Sequence, residues 1–238
     1  MEIQMAWGSM LEDIYHIGEM INKDGQNVKE VLYNHFFLDN VMKPFSDYCS
    51  GHESNIFLKM LAEGQFDILE YPLKGEALAD YVKSYDNKDI ILLNQNFVYS
   101  YPERLKHMLS VTKKNEIKFI NQIDVMIQRL VNNPESNRAV AVLYNAGLDY
   151  DIDDIPCLNH IQVFIRDEEV ILYCLFRSND IYGAFISNMY LLQYIGLKIT
   201  DELGKYYPNL KFKGVQYTSY SAHVYEEDLP MVEKILGL

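Results

Sequence analysis

The residue types most able to do covalent chemistry in this sequence lie between residues 154 and 188. Cys157 follows a proline ahead of one apolar run, and Arg177 closes a second apolar run, 170–176. A thiolate is a strong nucleophile, and a nearby guanidinium can stabilise its negative charge. If the two runs pair as an antiparallel hairpin, the thiol and the guanidinium meet at one end of it. We therefore expect covalent chemistry on a small anionic ligand.

Other polar residues could complete such a site. The polar residues 178–180 follow Arg177 directly, and Asn188 lies on the helix predicted after them. His223 and Tyr225 are two residues apart on a predicted strand, so their side chains point to the same face. A ligand hydroxyl could be held between them. The pattern thus places a thiol, a cation, an amide and a hydroxyl clamp near one another.

Each of these residues also has an ordinary structural alternative. A lone cysteine such as Cys157 is often a small buried apolar residue. Arg138, ahead of an apolar strand, could form a surface ion pair instead of a phosphate contact. Asn188 could cap its own helix turn, and His223 with Tyr225 could be a core pair or a contact between subunits.

The elements that hold these residues follow from hydrophobic periodicity. The predicted helices are 5–21, 51–67, 76–85, 117–130 and one that carries Asn188 and continues through 189–200. The predicted strands are 89–93, 139–144, 160–165, 170–176 and 211–217. Little helix separates the middle strands, and we find neither a repeat nor a flexible linker. These features predict one domain over residues 1–238.

Composition limits the function. The chain has 238 residues and a net charge of −13, which provides no basic excess to neutralise a nucleic acid polymer. Its cysteines, Cys49, Cys157 and Cys174, show neither a disulfide framework nor a zinc signature. No apolar run approaches the roughly 18 residues of a membrane span. We expect a cytoplasmic protein without a metal, a membrane contact or a nucleic acid partner.

Taken together, the motifs resemble the thymidylate synthase superfamily, which includes the pyrimidine-nucleotide hydroxymethylases. The resemblance is carried, in the family's order, by segments 121–124, 133–145, 155–162, 177–188 and 222–225. It covers residues 98–228 best, whereas 1–97 diverge. The resemblance implies an α+β fold: a large mixed β-sheet with helices packed on one face. The other face would pack against a second copy in a homodimer.

The resemblance also implies a reaction. The Cys157 thiolate would attack C6 of a pyrimidine nucleoside monophosphate, and C5 would then accept one carbon from 5,10-methylenetetrahydrofolate or a related reduced pterin. Methylation of dUMP to dTMP is the leading expectation, because an asparagine at position 188 suits uracil. Hydroxymethylation of dUMP, dCMP or CMP is the alternative. A nucleotide-binding homologue without catalytic activity is an alternative of another class.

The resemblance assigns roles to individual residues. The implied catalytic residues are Cys157, Arg177, Asn188 and Tyr101, with Arg104 on the same loop as Tyr101. The implied nucleotide contacts are Arg138, Gln162, Arg177, Ser178, Asn179, Asp180, Asn188, His223 and Tyr225, with Arg138 reaching across from the partner subunit. The implied contacts to the reduced folate are Asp180 and Gly183.

The sequence departs from the family at several positions. Leu158 follows the cysteine where the family usually has histidine, and Asn137 replaces one of two adjacent arginines. The glutamate that directs protons is not identifiable, although Glu70 and Glu76 are candidates. Trp7 is the single tryptophan. With few tryptophans and a short C-terminal segment, the site would be wetter, which favours the hydroxymethylase alternative.

Overall fold

The computed structural model describes residues 1–43, 52–68, 70–86 and 99–238. The helices in these ranges are α1 Ile3–Ile17, α2 Glu53–Ala62, α3 Gly75–Lys83, α4 Tyr101–Lys106, α5 Gln122–Asn132, α6 Ala146–Asp149, α7 Phe185–Gly204 and α8 Leu229–Leu236. The strands are β1 Glu19–Lys23, β2 Gln26–Asp39, β3 Met108–Val111, β4 Ile117–Ile120, β5 Val140–Val142, β6 Leu158–Arg166, β7 Glu169–Phe176, β8 Asn179–Asp180 and β9 Lys211–Tyr225. Among these described helices, none is long and apolar enough to cross a bilayer.

A large mixed sheet organises the chain, as the α+β prediction requires. Its order is β1-β2-β9-β7-β6-β5, with β8 paired to β9. The pairs of β9 with β7 and with β8 are parallel, and the other pairs of this sheet are antiparallel. Strands β3 and β4 form a separate hairpin. The long strand β9 lies at the centre and therefore touches most of the elements that carry site residues.

Two predicted helices are wrong in part. The segment 117–130 contains strand β4 followed by α5, because the side chain of Asn121 accepts hydrogen bonds from the backbone of Ile123 and Asp124 and begins the helix there. The segment 5–21 ends as a helix at Ile17, because Gly18 follows in extended backbone and leads into β1.

Other predicted boundaries shift. The apolar stretch after residue 25 is the 14-residue strand β2, whose position between β1 and β9 was not predicted. The helix predicted at 51–67 is shorter, as α2, and the one at 76–85 corresponds to α3. The predicted strand 89–93 lies outside the described residues.

Helix α7 is buried on nearly every side and packs against β7 and β9 of the sheet. Its residue Gly196 lies against the ring of Phe212 on β9, where an added Cβ would come within 2.2 Å of the ring. Close approach of helix and strand therefore requires a glycine at this position. Two turns earlier along the same helix lies Asn188, so this contact helps to fix the position of a predicted site residue.

Among the described residues, none forms an element that covers the face of the sheet opposite α7. Side chains along β6 and β7 alternate between buried and partly exposed, as in a strand with one face on the core. The partly exposed positions include apolar and aromatic residues: Phe164, Ile171, Tyr173 and Leu175, together with Tyr220 on β9. The predicted subunit contact would lie on this face.

Candidate active site

A cavity of about 300 Å³ lies beside Cys157, at the point where the chain enters β6. Eight of the residues predicted for the site line it: Tyr101, Cys157, Arg177, Asn179, Asp180, Asn188, His223 and Tyr225. They come from α4, the ends of β6 and β7, strand β8, helix α7 and strand β9. The fold thus gathers residues that are far apart in sequence around the thiol.

Cys157 and Arg177 meet as the hairpin prediction requires. Leu158 pairs with Phe176 in the β6–β7 register, and the backbone N–H of Arg177 donates to the Cys157 carbonyl at 2.8 Å. The guanidinium of Arg177 donates from Nη2 to Ile155 O at 2.8 Å and from Nε to the carbonyl of the next residue at 3.3 Å. Arg177 therefore lines the cavity and also holds the loop that carries the cysteine.

Two opposing effects act on the Cys157 thiol. Burial raises its pKa, whereas the positive charges of Arg177 and Lys23 lower it. The carboxylates of Asp154 and Asp180 raise the pKa further. In the free protein burial prevails, so the thiol form predominates near neutral pH, and the two cations limit how far the thiolate is disfavoured.

Lys23 belongs to this site although sequence reasoning missed it. Its Nζ donates to Ser178 Oγ at 2.7 Å and lies 3.2 Å from His223 Nε2. Burial is the main cause that lowers the Lys23 pKa. The available signal was the Asp24–Gly25 dipeptide, whose positive φ angles form the tight turn between β1 and β2. Asp-Gly is a strong hairpin signal, and the hairpin places Lys23 over the cavity.

His223 is held neutral and in one tautomer. Burial, followed by the charges of Lys23 and Arg177, lowers its pKa to about 3. Because the Lys23 ammonium can only donate, His223 Nε2 accepts, and Nδ1 carries the proton. Nδ1 then donates to Ser178 Oγ at 3.3 Å. The ring of Tyr225 meets the His223 ring edge-on at 5.4 Å between centroids, so both predicted clamp residues face the cavity.

Asn188 does not cap its helix. Its Oδ1 accepts from the Tyr81 hydroxyl at 3.1 Å, and its Nδ2 donates to Asn179 Oδ1 at 3.4 Å. Asn179 Nδ2 donates in turn to the Tyr217 hydroxyl at 3.2 Å. Both amides are almost fully buried, with 6% and 1% of their surfaces exposed. Asn188 therefore presents a fixed amide at the wall of the cavity.

Asp180 and Gly183 form a small carboxylate cradle at the cavity edge. The Gly183 N–H donates to Asp180 Oδ1 at 2.9 Å, and an added Cβ on Gly183 would lie 2.4 Å from Oδ2. Because glycine has no Cβ, the second oxygen of the Asp180 carboxylate packs directly against position 183. Burial raises the pKa of Asp180, whereas the Gly183 backbone hydrogen bond lowers it.

Tyr99 is a second residue that the sequence analysis missed. Its hydroxyl accepts from the Cys157 backbone N–H at 3.4 Å and donates to Ile155 O at 3.3 Å. Burial raises its pKa, so the hydroxyl keeps its proton near neutral pH. The predicted Tyr101 lines the same cavity and packs edge-on against Phe176. Both tyrosines of the loop thus lie beside the nucleophile.

Two predicted nucleotide contacts lie elsewhere in the single chain. Gln162 is on the outward face of β6, where its Nε2 donates to Asn137 O at 2.8 Å. Arg138 is exposed and lines a separate surface pocket together with Arg129. Neither side chain lines the cavity beside Cys157 in its own chain.

The glutamates considered for proton transfer also lie apart from this cavity. Glu70 pairs with Lys234 at 2.8 Å, and Glu76 is exposed in the first turn of α3. Among the described residues that line the cavity, the carboxylates are aspartates. Trp7 is buried and donates from its indole to Ile181 O at 2.7 Å, so it supports the core instead of facing a ligand.

Comparison with known proteins places the chain beside one family. The family model described as thymidylate synthase matches residues 79–237. A protein of Methanosarcina mazei is 34% identical over 239 residues, which cover 98% of this chain and 91% of its own length. A protein of Methanothermobacter thermautotrophicus is 28% identical over 236 residues, or 99% and 96% of the two chains. Both carry the name "Putative thymidylate synthase".

Proposed function

Because this chain belongs to the thymidylate synthase family, we propose that it transfers one carbon to C5 of a pyrimidine nucleotide. The observation that carries the proposal is the cavity that joins the Cys157 thiol to Arg177, Asn188 and His223. The thiol can act as a nucleophile, and the other three side chains can bind a phosphate, a base and a sugar. Methylation of dUMP to dTMP is the reaction we propose first.

Three polar groups are suited to hold the 5′-phosphate. Arg177 and Lys23 supply positive charge within the same cavity, and Ser178 Oγ already bonds to Lys23. Charge-assisted hydrogen bonds to a phosphate are stronger than neutral ones. The Tyr225 hydroxyl would hold the sugar hydroxyl, together with His223 Nε2 once the Lys23 ammonium turns from it to the phosphate.

The chemistry begins with loss of the Cys157 proton. The thiolate sulfur then forms a bond to C6, and the electrons of the C5–C6 double bond move towards O4. Asn188 can donate an N–H to O4 and so stabilise the negative charge that develops there. C5 becomes nucleophilic and would bond to the one-carbon unit. Loss of the C5 proton would then expel the pterin amine and leave a methylene group on C5. Addition of a hydride or of water to that carbon would restore the C5–C6 double bond as the sulfur leaves.

Asp180 is the residue we propose to hold the reduced folate. A carboxylate accepts hydrogen bonds from the ring N–H groups of a pterin, and Asp180 lines the cavity. Bound there, 5,10-methylenetetrahydrofolate or a related reduced pterin would supply the one-carbon unit and, for methylation, a hydride.

We also propose that the protein acts as a homodimer through the outward face of the sheet. The uncovered apolar and aromatic side chains on β6, β7 and β9 support this arrangement, since a second copy would bury them. Arg138 lies on the surface away from its own cavity, so it is available to a phosphate bound by the partner subunit. Sedimentation as a monomer at micromolar concentration would contradict the dimer.

Hydroxymethylation is the second candidate. Among the described residues that line the cavity there are four aspartates and no tryptophan, so water has easier access than in a site with an apolar cover. Water could then capture the exocyclic methylene intermediate that forms on the base.

One experiment tests both reactions. The protein is incubated with 5,10-methylenetetrahydrofolate and with dUMP or dCMP labelled with tritium at C5. We expect tritium release and a product heavier by one CH₂; a product heavier by CH₂O identifies the hydroxymethylase. Cys157→Ser should abolish release, and Cys174→Ser, which alters a buried thiol on β7 outside the cavity, should not. Nucleotide binding by the wild type without tritium release would identify a non-catalytic homologue.

A further inference from the structure

Helix α7 begins without a capping side chain of its own. Its N-cap residue is Ala184, whose side chain cannot accept a hydrogen bond from the first turn. The first four N–H groups of a helix have no partner within it, so the N–H of Ser187 needs an acceptor from another part of the chain. The hydroxyl of Tyr71 is that acceptor, with its oxygen 3.2 Å from the Ser187 nitrogen.

The Tyr71 hydroxyl makes a second hydrogen bond, to the carbonyl oxygen of Gly183 at 3.1 Å. The direction of both bonds is fixed, because a backbone N–H can only donate and a carbonyl can only accept. Residues 183 and 187 are four apart, which is the spacing of an α-helical hydrogen bond. The hydroxyl therefore lies between two groups that could otherwise bond directly, as an inserted side chain does where it opens a helix. Gly183 stays outside α7 as a result.

Gly183 in turn orients the carboxylate of Asp180. Its N–H donates to Asp180 Oδ1 at 2.9 Å, and the N–H of Ala184 donates to the Asp180 carbonyl at 3.2 Å. Asp180 lines the cavity beside Cys157. The Tyr71 hydroxyl thus acts on the position of this carboxylate through a single residue of backbone.

Trp7 holds the same loop from the side of the core. Its indole N–H donates to Ile181 O at 2.7 Å, and its ring meets the Tyr71 ring edge-on at 5.9 Å between centroids. Both aromatic residues are buried. The carbonyls of residues 181 and 183 are therefore each held by an aromatic side chain from the N-terminal part of the chain.

We propose that Tyr71 is a positioning residue for the reduced folate, whose hydroxyl, with Trp7 beside it, holds the Asp180 carboxylate at the edge of the cavity. The role of Asp180 towards the folate rests on the proposed function, whereas the hold on Gly183 rests on the two hydrogen bonds. Without the hydroxyl, the Ser187 N–H could bond directly to the Gly183 carbonyl. The helix would then gain a residue at its start and draw Gly183 and Asp180 towards it.

The nucleotide contacts do not depend on this hydroxyl. The side-chain amide of Asn188 is bonded to Tyr81 and Asn179, and its backbone N–H donates to Ala184 O at 3.0 Å. Arg177 is bonded to the loop that carries the cysteine. Loss of the Tyr71 hydroxyl should therefore affect the folate and spare the nucleotide.

The test compares two hydroxyl deletions, Tyr71→Phe and Tyr190→Phe. Tyr190 is the control, because its buried hydroxyl lies on the same helix but donates to Phe66 O at 2.9 Å, outside the loop. The KM for 5,10-methylenetetrahydrofolate is measured by tritium release from the C5-labelled nucleotide that the wild type turns over, and the dissociation constant of that nucleotide by titration calorimetry. We expect the folate KM to rise roughly tenfold in Tyr71→Phe, as weakening of a hydrogen bond to a charged group implies, with nucleotide affinity unchanged. Both values should stay unchanged in Tyr190→Phe.

The outcomes separate this inference from the proposed function. A wild type that releases no tritium overturns the proposed function, and with it the folate role of Asp180. An active wild type with an unchanged folate KM in Tyr71→Phe overturns the inference alone. Equal losses for folate and nucleotide also overturn it, since the hydroxyl would then support the fold as a whole. If Tyr71→Phe does not fold, Trp7→Phe removes the donor to Ile181 O, and an unchanged folate KM there overturns the inference.

Discussion

Removal of Asp149 should destabilise the protein more than removal of any exposed acid. Asp149 and Arg104 form a buried ion pair, with Arg104 Nη2 at 2.6 Å from Asp149 Oδ1 and exposed fractions of only 2% and 6% for the two residues. Asp149 Oδ2 also accepts from the Asn145 backbone N–H at 2.7 Å. Asp149→Ala would leave a buried guanidinium and a backbone N–H without this acceptor, so we expect a loss of about 3–5 kcal/mol in the free energy of unfolding.

Urea denaturation followed by circular dichroism measures this loss. Against a typical total of about 5–15 kcal/mol, the change is large. Glu202→Ala is the matched control, because Glu202 pairs with Lys205 at the surface and such pairs contribute at most about 1 kcal/mol. The double variant Arg104→Met with Asp149→Leu should recover much of the stability, since it removes both charges. A loss below about 1 kcal/mol in Asp149→Ala would refute the reasoning.

Three further predictions concern the cavity. Lys23→Met should weaken dUMP binding, measured by calorimetry, roughly tenfold or more, because a charged hydrogen bond is lost. Lys213→Met is the control: it removes an exposed ion pair with Glu169 and should leave the dUMP affinity unchanged. The folded-state pKa of His223 is lowered from 6.5 to about 3, so between these values the unfolded chain binds a proton that the folded protein does not. The free energy of unfolding should therefore decrease as the pH is lowered from 6.5 to about 3, by up to about 1.4 kcal/mol per pH unit. His223→Gln should flatten that slope in urea titrations, and an unchanged slope would contradict the assignment. Gly183→Ala should raise the KM for the reduced folate without changing dUMP affinity, because a Cβ would crowd Asp180; equal effects on both ligands would argue against the cradle.

The β6–β7 hairpin was predictable because its determinants are local. Two apolar runs flank a short polar turn in which Asp167 and Glu168 adopt positive φ, and alternation along each strand marks the buried face. Once the hairpin is recognised, the meeting of Cys157 with Arg177 follows from its register. Chemistry that depends on neighbours along one hairpin can therefore be read from the sequence.

Contacts between distant segments were not predictable in the same way. Lys23 meets Ser178 and His223 across separations of 155 and 200 residues, and only the central position of β9 brings them together. The prediction of one helix over 5–21 hid strand β1, which carries Lys23, because the apolar spacing continued across the glycine at position 18. Tyr81 presents the same difficulty, since nothing near it in the sequence indicates that its hydroxyl reaches Asn188 on another helix.

The contact between Gly196 and Phe212 has a consequence for ligand binding at a distance. Asn188 lies eight residues from Gly196 on one rigid helix, a separation of about 12 Å at the rise of an α-helix. A bulkier residue at position 196 would push α7 away from β9 and displace the Asn188 amide with it. In the proposed complex, the distance between the pyrimidine and the Cys157 sulfur would then depend on the size of residue 196, which does not line the cavity.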